Sequence, residues 1–491
     1  MKGLISRHDD HPALIHPWRE EDAIRYAELE DLVDRLARQL AGIGLLPGER
    51  LAMVFPNSPE FVVAFLAAIR RGAATAPLNP QYTPHEFTDY LADIKPRAIL
   101  YLDEPVPAAH EAAAGLEIEE WCLAADPTHR LRLRPEGDGP SFEPFPEEDA
   151  VALLLHTSGT TGKPKGVPLR QSNLLHSATT VAESYELGPH DVSYCVMPLF
   201  HVHGLVASTL ATLRSGGTVV VPPKFSASRF WSDVETHGAT WYSAVPTIHH
   251  VLAAEGIPPK HGLRFARSCS SPLPVPLQRD LEVQLRVPLL QAYGMSEAAH
   301  QMASNPLPPK ENRAGSVGLA TGAEVAVLDP DWNQVPAGEE GEIAIRGPSV
   351  IDAYLDNKEA NASQFRDGWF RTGDSGSVSA DGYIELHGRL KELINRGGEK
   401  ISPYEVEDVL LTHPGVAEAV VFAAPDAKYG EQVAAAVVPG DGELSADDLR
   451  AYCGEQLADF KVPAQVSIVD EIPKGPTGKV QRRLLAQQLS K

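Results

Sequence analysis

The stretch HTSGTTGKPKG, from His156 to Gly166, directly follows the apolar run from Val151 to Leu155. The apolar run predicts a buried strand, and glycines after it let the backbone turn closely around an anion with its N–H groups pointing inward. Hydroxyl donors and positive charge come from the side chains of the same stretch: Ser158, Thr160, Thr161, Lys163 and Lys165. A strand that runs into such a loop predicts a phosphate-binding site.

The loop differs from the Walker A pattern G-x-x-x-x-G-K-[ST]. Gly159 and Gly162 are too close together, a proline follows Lys163, and no Ser or Thr stands where a P-loop holds magnesium. A kinase built on a Walker A loop is therefore disfavoured. Taken alone, the stretch is also compatible with a flexible surface turn.

Outward from this loop, predicted strands alternate with predicted helices. Residues 23–44 place Leu32, Leu36 and Leu40 at helical spacing, and the apolar strand RLAMVFPNS is followed by the helix PEFVVAFLAAIRRGA. Strand-like segments return further on, at SYCVMPLF, GGTVVVPP and ATWYSAVP. This alternation predicts an α/β fold in which helices cover mixed or parallel sheets.

Composition and turn signals divide the chain. Residues 134–149 are rich in Pro, Gly and acidic groups and predict a loop or linker, while GEIAIRG and DGYIELHG predict a β-rich subdomain. After GRLKELINRGGEK, the residues Ser402, Pro403 and Glu405 predict a capping-box helix start, followed by strands and another helix. We therefore expect a large domain over 1–390 and a separate small α+β domain over 391–491, which the family resemblance described below implies is mobile.

Bulk properties exclude several classes of protein. The 491 residues carry 66 Asp and Glu against 43 Lys and Arg, a net charge of −23, which disfavours general binding to nucleic acids or anionic membranes. The four cysteines lack CxxC or zinc spacing, which suits a reducing compartment. The N-terminal residues lack a secretory apolar region, and no apolar run is long enough for a bilayer. These observations predict a cytoplasmic protein, a monomer or small homo-oligomer.

The opening stretch resembles the phosphate-binding signature of the adenylate-forming superfamily, which includes acyl-CoA synthetases, peptide-synthetase adenylation domains and beetle luciferases. Further elements of that pattern occur in the expected order: MPLFHVHG (197–204), YGMSE (293–297), FRTGD (370–374), GRLKELINRGGEKISPYEVE (388–407) and PKGPTGKVQRR (473–483). The resemblance spans nearly the whole chain. It implies that residues 1–390 form the AMP-binding adenylation domain, and that ATP, Mg²⁺, coenzyme A and a small carboxylic acid are used.

The resemblance also implies roles in nucleotide binding. The loop that would wrap the β- and γ-phosphates comprises Thr157, Ser158, Gly159, Thr160, Thr161, Gly162, Lys163 and Lys165. Glu297 would hold Mg²⁺ and Ser296 would reach the α-phosphate. Tyr293 would stack on adenine, supported by the backbone near Ser270 and Ser271, and Gly294 would be a further cofactor-binding residue. Asp374 would bind the ribose hydroxyls, assisted by Arg389. Tyr293 alone is also compatible with a core aromatic, and Asp374 alone with a turn residue.

Two lysines have implied roles in the change between the half-reactions. Lys479 would bridge the attacking carboxylate and the α-phosphate, although a solvated basic tail is the alternative because Arg482 and Arg483 follow. Lys391 matches the hinge about which the small domain rotates. Gly397 and Gly398 would then line the pantetheine path. Arg396 and Lys400 are weaker candidates for contacts with the coenzyme A phosphates.

The residues expected around the acid are unusually polar. They come from His201 and His203, from RSCSSPL (267–273), and from AAHQMASNPL (298–307), with Ser268 and Gln301 among them. Unpaired polar walls are costly, so they imply a polar substrate tail. This combination resembles the oxalyl-CoA synthetase branch, which implies oxalate or another very short dicarboxylate. His201, His300, Ser270 and Ser271 are the candidate ligands.

Several alternatives stay open. His201 is also compatible with a gate or adenine contact, and His300 with a packing residue, while His203 is expected to be structural. Arg267 either binds the acid directly or pairs with an acidic residue outside the pocket. Malonate, other short acids, and medium-chain or aryl acids are the other candidate substrates. A protein that loads a carrier-protein thiol, or an inactive nucleotide-binding relative, would be a different class.

Overall fold

The computed structural model describes residues 3–6, 9–20, 23–125, 131–136, 150–157, 164–440, 444–475 and 480–489. The predicted loop residues Ser158 to Lys163 and the predicted catalytic Lys479 lie outside these described residues, as does most of the predicted linker.

The chain up to residue 136 alternates short strands with helices, as the sequence predicts. Its elements are β1 (Pro12–Ile15), β2 (Ile24–Arg25), α1 (Tyr26–Gly42), β3 (Arg50–Val54), α2 (Pro59–Arg70), β4 (Ala74–Pro77), α3 (Pro84–Ile94), β5 (Ala98–Leu102), α4 (Pro107–Gly115), β6 (Glu119–Ala125) and β7 (Leu131–Arg134). Helix α1 begins three residues later than expected, because Ile24 and Arg25 pair with β1 as a strand.

The next part supplies most of the candidate site. It contains β8 (Val151–Thr157), β9 (Lys165–Arg170), α5 (Gln171–Ser184), β10 (Val192–Tyr194), a π-helical segment (His203–Leu210), α6 (Ala211–Ser215), β11 (Thr218–Val220), α7 (Ala227–Thr236), β12 (Trp241–Ala244), α8 (Pro246–Glu255), β13 (Phe265–Ser268), α9 (Val275–Leu285), β14 (Leu289–Met295), a 3₁₀ turn (Ser296–Ala298) and β15 (His300–Ser304). Gly204 is needed at the start of the π-helical segment, because a Cβ there would lie 2.4 Å from the carbonyl oxygen of Pro198.

The remaining elements are mostly antiparallel. They are β16 (Gly318–Ala320), β17 (Glu324–Leu328), β18 (Gly341–Arg346), α10 (Lys358–Gln364), β19 (Phe365–Arg366), β20 (Trp369–Val378), β21 (Tyr383–Arg389), β22 (Ile394–Arg396), β23 (Glu399–Ile401), α11 (Pro403–Leu411), β24 (Val416–Asp426), β25 (Gly430–Pro439), α12 (Ala446–Gln456), β26 (Gln465–Ile468) and α13 (Arg482–Leu489).

Among the described residues, these strands form three sheets. One has the order β7-β6-β5-β3-β4-β8-β9, parallel inside and antiparallel at both edges. A fourteen-stranded sheet has the order β17-β18-β20-β21-β16-β15-β14-β13-β12-β10-β11-β1-β2, with β19 beside β20. Its strands from β14 to β1 are parallel, and the β-rich part is hydrogen-bonded to them through β15. The predicted β-rich subdomain therefore continues a parallel sheet.

The parallel strands decide where the site lies. Helices cover both apolar faces of these strands, so the strands are buried on both sides. Their sequences are therefore continuous apolar runs. Their carboxyl ends meet at one edge of the sheet, the usual location of a ligand in such folds. Ser243 of β12, Arg267 of β13 and Tyr293 of β14 reach this edge from neighbouring strands.

A separate five-stranded sheet, β23-β22-β25-β24 with β26 beside β25, has its own apolar cluster with α11 and α12. It begins at Ile394, three residues after Lys391, and the boundary at 390/391 stays a prediction. The predicted capping box at α11 is only half formed. Ser402 accepts a hydrogen bond from the Glu405 N–H at 3.4 Å, but the Glu405 carboxylate pairs with Lys461 at 2.6 Å. No helix of the described residues is long and apolar enough to cross a membrane.

Candidate active site

The 3₁₀ turn after β14 carries a largely buried carboxylate. Glu297 is 5% exposed, and its Oε1 accepts a hydrogen bond from the Tyr354 hydroxyl at 2.8 Å. The Glu297 carbonyl accepts a second bond from the Ile351 N–H at 2.9 Å. The segment after β18 therefore fixes both the backbone and the side chain of Glu297, while the neighbouring Ser296 is 8% exposed.

Lys165 lies on the other side of Tyr354. It pairs with Thr157 across the β8–β9 ladder, at the two ends of the segment predicted to bind phosphate. Its Nζ lies 4.6 Å from the centre of the Tyr354 ring and donates to Gln364 Oε1 at 2.5 Å. Burial lowers the pKa of Lys165, the charge of Glu297 opposes this, and the charge of Lys391 adds to the lowering. Lys165, Glu297 and the expected hinge lysine are thus close enough to interact electrostatically.

A second polar chain starts at Tyr293, near the end of β14. The Tyr293 hydroxyl donates to Asp374 Oδ2, and Arg389 Nε donates to Asp374 Oδ1 at 2.7 Å. Asp374 and Arg389 are opposite each other on β20 and β21, so the ladder register places them together. Burial and the Asp374 charge raise the pKa of Tyr293 well above its ordinary value, so Tyr293 stays a hydrogen-bond donor.

Beyond Lys391, the two expected pantetheine glycines form the turn of a hairpin. Gly397 and Gly398 have φ values of +62° and +103° and connect β22 with β23. Such a two-residue turn needs positive φ at both positions, which favours glycine. Gly398 has open space where a Cβ would lie, whereas Gly397 packs against the Tyr429 ring, over which Arg396 also lies at 4.1 Å.

The expected acid-binding residues surround a buried arginine. Arg267 is fully buried and donates to Tyr185 Oη at 2.7 Å, Ser243 Oγ at 2.9 Å and Gln301 Oε1 at 3.1 Å. No carboxylate oxygen of the described residues lies within 4.0 Å of its guanidinium nitrogens. The alternative in which Arg267 pairs with an acidic residue is therefore wrong.

The two histidines in this cluster are packed edge to face. His203 and His300 are buried, and their ring centres are 5.1 Å apart. One nitrogen of His203 lies 2.6 Å from Ser243 Oγ and the other 3.0 Å from Ser270 Oγ. Ser270 and Ser271 are half-buried, and so is His201, whose backbone bonds fix the turn before the π-helical segment.

Gln301 does not line the pocket as the sequence analysis expected. Its Oε1 accepts from Tyr185 and Arg267, and its Nε2 donates to Ser184 Oγ at 3.0 Å and Thr321 Oγ1 at 3.2 Å. All of its usual hydrogen-bonding capacity is thus used within the protein. Ser268 is also fully buried, and strand alternation directs it to the face opposite Arg267.

Gly294 positions His300. The two residues lie on the adjacent antiparallel strands β14 and β15. A Cβ at Gly294 would lie 2.3 Å from the His300 carbonyl oxygen and 2.8 Å from its Nδ1, closer than any real contact. The cofactor-binding role expected for Gly294 stays a prediction, and the structure shows a packing reason for glycine beside His300.

Comparison with known proteins decides the family. The sequence profile of the AMP-binding enzyme family matches residues 4–355, and that of the AMP-binding enzyme C-terminal domain matches residues 405–479. The chain belongs to the AMP-binding enzyme family. This confirms the family indicated by the ordered motifs.

Named relatives of this AMP-binding enzyme include two oxalate–CoA ligases. The one from Arabidopsis thaliana is 46% identical, and the match covers 94% of this chain and 93% of the relative. The one from Saccharomyces cerevisiae is 41% identical, and the match covers 90% of this chain and 87% of the relative. Among solved structures, ATP-bound MatB from Rhodopseudomonas palustris superposes with a TM-score of 0.90 at 31% identity, covering 99% of this chain and 97% of MatB. The expected fold class is confirmed.

The AMP-binding enzyme has a donor set that suits Mg²⁺ held together with phosphate. Mg²⁺ in nucleotide sites is usually bound by one or two carboxylates, with phosphates and water completing the shell. Glu297 offers one oriented carboxylate, and no group of three His, Cys, Asp or Glu side chains within the described residues could hold a metal alone. This fits a metal that arrives with the nucleotide.

Sequence reasoning missed four residues that organise the site. Tyr354 and Gln364 hold Glu297 and Lys165, while Ser243 and Tyr185 hold Arg267. None belongs to a motif that was recognised, and each is more than 20 residues from its partner. Only the tertiary packing reveals these contacts.

Proposed function

We propose that this enzyme is an ATP-dependent acid–CoA ligase that acts through an acyl-adenylate, and that its substrate is oxalate or another very short dicarboxylic acid. The observation that carries the proposal is the line of polar residues from Lys165 through Tyr354 to Glu297 at the carboxyl end of β14. The named activity of the two oxalate–CoA ligases and the ATP in the MatB structure support it.

In the first half-reaction a carboxylate attacks the α-phosphate of ATP, so two anions must approach each other. Fixed positive charge in a largely buried site stabilises the charge that develops. Lys165, Thr157 and the intervening residues 158–163 would hold the β- and γ-phosphates, and Ser296 would reach the α-phosphate. Glu297 would hold Mg²⁺, which would supply positive charge to offset that of the phosphates. Lys479 would bring its charge between the carboxylate and the α-phosphate.

The nucleoside would bind beside the second polar chain. Asp374 is held by both Tyr293 and Arg389, so its carboxylate has a fixed orientation from which to accept the ribose hydroxyls. Tyr293 would offer its ring to adenine together with the backbone near Ser270 and Ser271. A carboxylate fixed before the ligand arrives loses less entropy on binding.

In the second half-reaction the thiol of coenzyme A displaces AMP and forms the thioester. Residues 391–491 would rotate about Lys391, removing Lys479 and bringing the hairpin turn at Gly397 and Gly398 to the site. The space beside Gly398 leaves room for pantetheine, and Arg396 or Lys400 would meet the coenzyme A phosphates.

Four free thiols, at Cys122, Cys195, Cys269 and Cys453, support a cytoplasmic location.

A substrate panel tests the acid. Pyrophosphate release is measured with oxalate, malonate, succinate, acetate, octanoate and coumarate at saturating ATP and Mg²⁺. We expect the highest kcat/KM with oxalate. Best activity with malonate would move the proposal to a longer dicarboxylate, and best activity with octanoate or coumarate would overturn the polar-pocket interpretation. Replacing coenzyme A by a carrier-protein thiol separates a CoA ligase from a carrier-loading enzyme.

Substitution of Lys479 tests the division between half-reactions. Lys479→Ala is expected to lower oxalate-dependent pyrophosphate release about 10²–10³-fold, the usual cost of losing one preorganised group at the reacting centre. The same variant should still convert a supplied acyl-adenylate to thioester. Lys474→Ala is the matched control, because Lys474 pairs with Glu418 at 2.7 Å on the same segment. Equal loss of both half-reactions would refute the assigned role.

A further inference from the structure

Arg267 is a buried cation whose recorded partners are all neutral. It has five N–H donors and no acceptor, and it keeps its proton at any physiological pH. Its shortest bonds go to a phenol, a hydroxyl and an amide, on Tyr185, Ser243 and Gln301, and two longer ones go to imidazoles. A buried charge without a counter-charge is costly, so the positive potential here favours an incoming anion.

The donors of Arg267 fix the direction of a hydrogen-bond chain. Arg267 donates to Ser243 Oγ, and the same arginine nitrogen lies 3.5 Å from His203 Nε2, so this ring nitrogen is an acceptor. The Ser243 proton is therefore directed to His203 Nε2 at 2.6 Å. His203 then carries its proton on Nδ1 and donates to Ser270 Oγ at 3.0 Å. Ser270 is thereby an acceptor on the protein side, and its hydroxyl proton is available to a ligand. No acceptor for that proton is recorded among the described residues.

A second branch of the same chain reaches His300. A terminal nitrogen of Arg267 lies 3.4 Å from His300 Nδ1, and an arginine nitrogen cannot accept a proton there. His300 Nδ1 must therefore be the acceptor, which places the proton of the neutral ring on Nε2. The two branches thus end at Ser270 and His300, each with a proton that it can donate in a hydrogen bond to a ligand.

The backbone at both branch ends is in the left-handed half of φ space. Ser270 has φ +72° and His300 has φ +125°, conformations that non-glycine residues rarely adopt. Such conformations cost about 1–3 kcal/mol each and persist where the surrounding structure enforces them, often at functional sites. The missing side chain at Gly294 leaves the space into which His300 fits.

We propose that Arg267 is a positioning residue that orients Ser270 and His300 as donors and thereby selects acids with a second anionic group, a carboxylate or a sulfonate. Arg267 itself does not touch the substrate, because its N–H donors are directed to groups of the protein. The inference rests on the proposed acid-activating function, and it identifies the residue that determines the charge of the substrate tail.

The test compares two acids of similar size in pyrophosphate release, oxalate with two carboxylates and acetate with one. Wild-type enzyme is measured first, and Arg267→Gln next. We expect Arg267→Gln to lower the oxalate-to-acetate ratio of kcat/KM by about 10–100-fold, mostly through the KM for oxalate, because hydrogen bonds to charged groups are worth this much. The KM for ATP should stay within about twofold. Arg267→Lys, which keeps the charge, should restore part of the ratio.

Arg264→Gln is the matched control, since Arg264 precedes β13, pairs with Asp191 at 2.9 Å and also contacts Tyr185. It should leave the acid ratio unchanged. Ser243→Ala removes the hydrogen bond that connects Arg267 to His203 and Ser270, and it keeps the buried charge. We expect it to lower the oxalate-to-acetate ratio of kcat/KM by less than Arg267→Gln does. If Arg267→Gln does not fold, Ser243→Ala provides the test.

The outcomes separate the two proposals. If Arg267→Gln and Ser243→Ala lower oxalate and acetate use equally, Arg267 is only structural and this inference is wrong, while the ligase proposal stands. If wild-type enzyme activates no acid with ATP, the proposed function itself is wrong. If wild-type enzyme prefers acetate over oxalate, a donor-lined anion subsite is refuted before any variant is made.

Discussion

The Tyr354 hydroxyl donates a 2.8 Å hydrogen bond to Glu297 Oε1, and the Lys165 ammonium lies 4.6 Å from the centre of the same Tyr354 ring. One aromatic side chain thus separates a cation from a carboxylate and contacts both. Lys165 and Glu297 themselves form no ion pair within 4.0 Å. Under the proposed function, Lys165 would meet a phosphate and Glu297 would hold the metal ion.

Tyr354→Phe keeps the ring and removes only the bond to Glu297. We expect about a 10-fold loss in pyrophosphate release at low Mg²⁺, partly recovered at high Mg²⁺, because a hydrogen bond to a charged group is worth about 1.5–3 kcal/mol. A magnesium titration of the initial rate measures this. Tyr383→Phe is the control, since its hydroxyl donates to the Glu311 carbonyl at 2.7 Å away from the site. An unchanged magnesium titration would contradict the orienting role.

The sequence predicts some residues of the candidate site and gives no signal for others. Lys165, Glu297, Asp374 and Arg389 belong to recognisable motifs. The structure places Lys165 and Glu297 on the same Tyr354 side chain and pairs Asp374 with Arg389. Tyr354 is 57 residues from Glu297 and enters through a loop without regular spacing, so periodicity gives no signal for it. The orientation of a loop side chain depends on tertiary packing, which propensity and hydrophobic pattern do not specify.

The residues expected to bind the acid show the same limit of sequence-based prediction. The sequence identified RSCSSPL and the residues after YGMSE as polar, but it did not distinguish buried network members from ligands. Gln301 is saturated by four protein partners, whereas Ser270 is left with a proton to donate. The difference follows from which partners surround each group, because donors and acceptors must be counted in three dimensions.

Substitution of Asp374 tests the nucleoside side of the site. Asp374→Asn removes the charge that Arg389 and Tyr293 orient, so we expect the KM for ATP to rise about 10–100-fold with a smaller change in the KM for the acid. Initial rates of ATP/pyrophosphate exchange give both constants. Asp381→Asn is a matched control, because Asp381 pairs with Arg313 at 2.7 Å on the same sheet and is exposed. Equal effects of the two variants would argue against ribose binding.

A methyl group at Gly294 tests the packing of His300. Gly294→Ala places a Cβ within 2.8 Å of His300 Nδ1, so the ring or its backbone must move. We expect a loss of about 1–3 kcal/mol in the free energy of unfolding, the usual cost of overpacking, with reduced oxalate use. Denaturant melts and the oxalate KM measure these effects. Gly188→Ala has open space for its Cβ and should change neither quantity; unaltered stability in Gly294→Ala would contradict the contact.

Acid sensitivity is expected from His249, which lies beneath Arg267. Burial lowers the pKa of His249 from 6.5 to about 4, and the ring bonds to Tyr242 Oη at 3.0 Å and to the Arg267 carbonyl at 3.2 Å. Between pH 6.5 and about 4 only the unfolded chain takes up this proton, so stability falls as the pH falls through that window, by about 3 kcal/mol at most. His249→Gln should flatten this part of a plot of unfolding free energy against pH. The exposed variant His85→Gln should leave it unchanged, and an equal slope in both variants would exclude His249 as the cause.

Lys391→Pro tests whether the chain turns at the residue between β21 and β22. Lys391 is close enough to Lys165 for its charge to lower the pKa of Lys165. Proline fixes φ near −65°, which prevents a large rotation about that bond. We expect oxalate-dependent ATP/pyrophosphate exchange to persist while thioester formation falls at least about 10²-fold. Lys391→Ala keeps φ free and is the control for the lost charge. Parallel loss of both half-reactions in Lys391→Pro, or loss of thioester formation in Lys391→Ala as well, would place the rotation elsewhere.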